Sequence, residues 1–210
     1  MRELFDKNKW KQLFYTVNHP SDGYYWIRHQ ERGSVAIAIL MVLLFSFSFS
    51  LNRIYASFIV NDVYPRSVNT LTELFGVALL FLILCVGNWS VTCLMNGEGR
   101  LKDIVIAIGY ALLPITVTMV LATIVSQFLA ENEEAFYSII LIIGLSYGAI
   151  MMLIGIMQVH NYTLGKTLLT LILTLLAVFI IIFLGLLVVD LIGKVYNFFY
   201  SIYTELIFRT

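Results

Sequence analysis

The run Thr167–Val189, TLLTLILTLLAVFIIIFLGLLVV, decides the class of this chain. It holds 23 residues and no ionisable group. A helix of about 20 apolar residues crosses the roughly 30 Å hydrocarbon layer of a bilayer. Barrel strands alternate apolar and polar residues, whereas this run is apolar nearly throughout. Lipid also leaves no backbone polar group free to go unpaired, so the run reads as a membrane helix. Working outward, four more stretches carry little or no charge: 136–158, 104–129, 71–95 and 34–59. Each is 23 to 26 residues long, enough to cross with some tilt. The expected fold is therefore all-α, a polytopic bundle of five transmembrane helices. The spans lie at about 34–59, 71–95, 104–129, 136–158 and 167–189.

The composition agrees. Of 210 residues, 60% are hydrophobic and 12% charged, against about 45–50% and 25% in an ordinary soluble domain. Disorder is excluded, as is nucleic-acid binding through a dense basic patch. The first apolar run follows 33 mixed, charged residues and exceeds a secretory signal in length, so it reads as a mature span. Cys85 and Cys93 are too few for a disulfide framework and read as packing residues of one helix.

Orientation follows from the basic residues. With five spans, the termini fall on opposite sides. Arg2, Lys7, Lys9, Lys11, Arg28, Arg32, Arg100, Lys102 and Lys166 share one side. Arg53, Arg66, Lys194 and Arg209 share the other. Nine against four puts the N-terminus in the cytoplasm and the C-terminus outside.

Residues 1–33 form a cytoplasmic amphipathic head. Phe5 to Val17 reads as one helix, with Phe5, Trp10, Leu13, Phe14 and Val17 on a shared face. A turn at His19–Gly23 follows, and then Tyr24, Tyr25 and Trp26; the head reads as an interfacial lead-in to the first span before an anchor on anionic lipid or a docking surface for a cytoplasmic partner. Residues 191–210 form an amphipathic aromatic tail. From Asp190 onward, polar residues recur every three or four positions, at Lys194, Asn197, Ser201 and Glu205. Such a tail suits the outer leaflet or a partner's surface.

Catalytic chemistry is missing from the sequence. It contains no HExxH, GxSxG, Walker loop or CxxC. No Asp, Glu, Lys, Arg or His lies near the middle of a span, where proton relays and ion-coupled pumps place them. Histidine 160, in the turn His160–Gly165, reads as a solvated loop residue. No catalytic residue, cofactor or metal site is expected, and the chain reads as no enzyme. The notable features are steric. Pro114 predicts a kink in the third span, beside Gly109, Tyr110 and Leu112. Gly144, Gly148 and Gly155 set a small-residue stripe on the fourth, read as internal packing before a dimer face. Asn88 is a candidate for hydrogen bonding between helices.

This arrangement resembles the Yip domain family, the Ypt-interacting proteins and their prokaryotic relatives. The carriers are the loop Asn96–Lys102, the Gly-Tyr-x-Leu-x-Pro segment at Gly109, Tyr110, Leu112 and Pro114, and His160–Lys166 before a last apolar run. The resemblance covers about residues 34–190 and implies five membrane helices with a cytoplasmic N-terminus. Eukaryotic members carry a longer head with an Asp-x-x-Gly-Pro type motif, which His19-Pro20 and Asp22-Gly23 do not reproduce. The short head resembles a bacterial member of the cytoplasmic membrane. Such members are associated with an accessory role beside export or ABC-type transport systems. The partners so implied are the lipid bilayer and other integral membrane proteins, an ABC-type transporter among them, or a second copy of the chain. A permease-like conduit for a small solute, lined by polar residues of spans two to four such as Asn88 and Tyr110, is the alternative.

Overall fold

The structure, a computed structural model, describes residues 6–208. Arg2, Phe5 and Arg209 lie outside the described residues. Seven α-helices follow in chain order: α1 Lys7–Asn18, α2 Pro20–Gln30, α3 Val35–Tyr55, α4 Thr70–Leu94, α5 Leu101–Ser126, α6 Glu134–His160 and α7 Leu164–Phe208. The five from α3 to α7 are long and apolar enough to cross a membrane.

The helix ends follow local chemistry. Ser34 caps α3 through the Ile37 amide at 3.4 Å. Asn69 caps α4 by accepting from Leu71 and Thr72 at 3.1 and 3.3 Å. Asn96 and Asn161, just past α4 and α6, have φ of 54°, the left-handed geometry that asparagine tolerates at a helix end.

The head differs from the expected single helix and turn. Only His19 separates α1 from α2, because Pro20 starts a helix well where its missing N–H would have no partner anyway. Gly23 is thus helical and lets the hairpin close: a Cβ there would stand 2.5 Å from the Thr16 backbone. Leu13, Tyr24 and Ile27 are buried in the common core, with Trp10 and Val17 packed on it. Phe14, expected on the same face, is exposed. Tyr24 is no headgroup aromatic. Its hydroxyl donates to the Ala107 carbonyl of α5 at 3.1 Å, and its ring lies against Gly155 of α6.

Helix α5 is central, flanked by α3 and α6, with α4 and α7 paired at the side. The core gathers at the end of the bundle that carries the head: Ile104, Ile106, Ala107, Ile108, Tyr110 and Ala111 of α5, with Ile37, Ala38 and Met41 of α3. Polar side chains join the helices at the far end. Asn52 donates to Thr123 at 2.8 Å and accepts from the Tyr137 hydroxyl at 2.9 Å. Glu73 pairs with Arg53 and accepts from Ser50 at 2.5 Å. Each bond satisfies groups that lipid cannot.

The fifth span and the tail form one unbroken helix of 45 residues, with no break at Asp190. At 1.5 Å per residue it is roughly 68 Å long, more than twice the hydrocarbon thickness. Its buried residues are Thr167, Thr170 and Thr174. From Phe183 to Phe208 every residue except Thr204 is exposed. The molecule accordingly exposes 13293 Å², where a compact monomer of 23.9 kDa would expose roughly 9,900 Å².

Candidate functional site

The residues singled out by sequence fall into two groups. Those on α5 and α6 make one interhelical contact surface. A Cβ on Gly109 would stand 2.7 Å from the Ala38 Cβ of α3. One on Gly144 would stand 1.7 Å from the Thr118 hydroxyl, and one on Gly148 would stand 2.6 Å from Ile115. Gly155 receives the Tyr24 ring, 3.1 Å from its would-be Cβ. The glycine stripe of α6 is thus spent inside the chain, against α5 and the head. Tyr110 is fully buried, and its hydroxyl accepts from the Ser34 amide at 3.1 Å, tying α5 to the start of α3. Leu112 and Pro114 are half-buried, their carbonyls accepting from Thr116 and Thr118 at 2.8 and 2.9 Å. Helix α5 continues as α-helix through Pro114.

Asn88 stands apart. It is fully buried, and its Nδ2 donates to Thr174 Oγ1 of α7 at 3.1 Å, while Oδ1 has no partner. Two grooves in the molecule, of about 650 and 210 Å³, lie against the head, and neither Asn88 nor Tyr110 is among the residues lining them.

The head end carries a cluster that sequence reasoning missed. Histidine 160 is buried, not solvated. Its Nδ1 accepts from the Gly99 amide at 3.1 Å, so a neutral ring carries its proton on Nε2, which has no partner. The chain from Gly97 to Gly99 passes so close that a Cβ at either glycine would stand 2.6 Å from the imidazole. Tyr162 stacks on the ring and donates to the Met95 carbonyl at 3.2 Å. Burial raises the Tyr162 phenol above its ordinary value. The α4–α5 loop is thereby strapped to the α6–α7 turn. The available signal was the glycine spacing in Asn96-Gly97-Glu98-Gly99, since close backbone approach requires residues without a side chain.

Charged groups fasten the same loop to the head. Arg28 donates to the Glu98 carbonyl at 2.5 Å and lies 3.7 Å from Asp103. Asp103 is buried and also held by Arg100 at 2.9 Å. Glu31 pairs with Arg100 at 2.7 Å and Lys102 at 2.9 Å. Hydrogen bonds from Lys102 and Arg100 hold its carboxyl down at about 2. Among the described residues no group of three or more His, Cys, Asp or Glu is placed to hold a metal ion. These charges and the imidazole nitrogen Nδ1 fasten the loop, and Glu31, Lys102 and Asp103 also line the smaller groove of about 210 Å³.

The third feature is the bare second half of α7, where Phe183, Leu187, Leu191, Val195, Phe199, Ile202 and Leu206 are exposed. Asp190 and Lys194 pair along the same helix at 2.7 Å, so its polar stripe is partly self-satisfied.

Comparison with known proteins gives one match. The family model described as the Yip1 domain matches residues 14–187. No curated protein and no solved structure matches the chain. The match starts within α1, earlier than the resemblance at 34–190, and so includes most of the head hairpin. It ends at Leu187, before the far part of α7. With most of its length covered, the chain belongs to the Yip1 domain family.

Proposed function

From that membership we propose that the chain is a non-enzymatic membrane scaffold, an accessory subunit whose partner packs along the second half of α7. Yip1 domain proteins interact with other proteins and are not a known enzyme family. One observation carries the reading: α7 runs about 25 residues past its last contacts with α4, largely apolar apart from one polar stripe, and uncovered. A single helix of that kind gains little from its own hydrogen bonds once it leaves the hydrocarbon layer, and it exposes large aromatic surface. A second membrane protein running beside it would cover that surface. The stretch also lies beyond the family match, which suits a contact particular to this chain. A component of a transport complex, such as an ABC-type system in a bacterial cytoplasmic membrane, is a partner of the fitting kind. The excess of Lys and Arg on the head side supports a cytoplasmic head and an outer C-terminus.

The test is a photo-crosslinking residue placed at Leu187 or Phe199 in native membranes, with the lipid-exposed Ile143 of α6 as control. Adducts to a membrane protein from the α7 positions and none from Ile143 are expected. Equal labelling of lipid alone from all three, with a solitary monomer after mild extraction, overturns the proposal.

A further inference from the structure

We propose that the groove between α1 and α2 binds the phosphate-bearing headgroup of an anionic phospholipid. The groove holds about 650 Å³ and is walled by Lys9, Lys11, Gln12, Tyr15, Trp26 and Arg32. That is within the range of ligand sites and has room for more than a lone inorganic ion.

Its charge is positive and available. Neither Lys11 nor Arg32 has an ion-pair partner among the described residues. The Arg32 guanidinium lies over the Trp26 ring, 5.0 Å from its centroid. That contact fixes the plane of the guanidinium and leaves its N–H edge free for a bidentate pair of phosphate oxygens. The Lys9 ammonium donates to the carbonyls of Glu31 and Gly33 at 2.7 and 2.9 Å. An ammonium has three donors, so one remains, held in place at the groove wall. The one carboxylate at the groove, Glu31, is neutralised by Arg100 and Lys102. It therefore does not repel an anion.

Position selects lipid as the source of the phosphate. Arg32 is three residues before the first residue of α3, so it stands within about 11 Å of the start of the first span. Trp26 and Tyr15 are the residue types that settle at headgroup depth. The site is thus a concave cationic cradle at the level where phospholipid phosphates lie.

The experiment uses full-length protein in mild detergent, with an equimolar mixture of phosphatidylglycerol and phosphatidylcholine, read by native mass spectrometry. Wild type should retain phosphatidylglycerol at least ten-fold over phosphatidylcholine. Lys11→Gln with Arg32→Gln should weaken retention about thirty-fold, from about five-fold per charge. Lys7→Gln, outside the groove, should leave it unchanged. Equal retention of both lipids by wild type, an unaffected double variant, or an equal loss in Lys7→Gln overturns the proposal. Inorganic phosphate at millimolar concentration that displaces the lipid assigns the site to free phosphate and also overturns it. A double variant that fails to fold is bypassed by wild-type groove chemistry: with Trp10→Phe and Trp89→Phe, brominated phosphatidylglycerol should quench Trp26 and brominated phosphatidylcholine should not. Equal quenching by both again overturns it.

Discussion

Helices α5 and α7 are built from similar material and end in opposite situations. Mean hydropathy reaches 2.4 in the first and 3.3 in the second. Yet α5 buries much of one half among five other helices, whereas α7 buries three threonines. The difference lies in small residues. Helices α5 and α6 meet through Gly144, Gly148 and Gly155, where backbones come close enough for dispersion contacts that lipid cannot match. Gly165, Gly185 and Gly193 of α7 meet nothing within 4 Å. In a bilayer, hydropathy puts a helix in the membrane but does not choose its neighbour. Close packing chooses it, and α7 has a long stretch for which the described residues supply no neighbour.

The most damaging way to probe that contrast is Gly144→Ala. A Cβ 1.7 Å from the Thr118 hydroxyl cannot be accommodated without parting α5 from α6. The expected cost is about 3 kcal/mol, seen as a lower unfolding midpoint in detergent, and Thr118→Ala in the same chain should recover part of it. A null result would mean that the two helices do not lie as close as described. Gly23→Ala should act in the same direction on the head hairpin, by about 2 kcal/mol, because the obstacle is the Thr16 backbone.

A smaller loss is expected from Asn88→Leu or Thr174→Val, which break a side-chain link of α4 to α7. Such bonds in membranes are worth about 0.6 kcal/mol, so the two changes together should cost less than their sum. Next comes the reverse arm of the comparison. Gly185→Ala should leave the isolated protein as stable as before or raise it by up to about 1 kcal/mol, since helical glycine is unfavourable and nothing is struck. A clear destabilisation of the isolated monomer would show that α7 has a neighbour within the chain after all.

The smallest effect concerns acid. Glu31 is held at about 2 by Lys102 and Arg100, below its ordinary 4.5. A lowered folded value means a contribution fully present above 4.5 and lost as the pH falls towards 2. Glu31→Gln should remove only that dependence, visible as a flatter unfolding midpoint between pH 4.5 and 2. The group is exposed, so the change is slight.

The spans were legible because each is a long run without charge, and a bilayer tolerates little else. Gly144, Gly148 and Gly155 on the fourth span, and Gly109 on the third, stand where backbones come close. The head was misread for a definite reason. His19-Pro20-Ser21-Asp22-Gly23 carries turn chemistry, but Pro20 also starts helices well, and Gly23 serves a backbone contact with Thr16. Histidine 160 was misread because nothing local shows that a loop 61 residues away closes over it.

Sequence by itself determined the number of membrane crossings, the helical class and the absence of charge at mid-depth, because the transfer of apolar and charged groups into lipid depends on each segment alone. Only the tertiary structure decided that the head folds back into the core, that the α4–α5 loop straps His160, and that α7 runs on uncovered. Those outcomes depend on which surfaces meet at distances of a few ångströms, and no single segment carries that information.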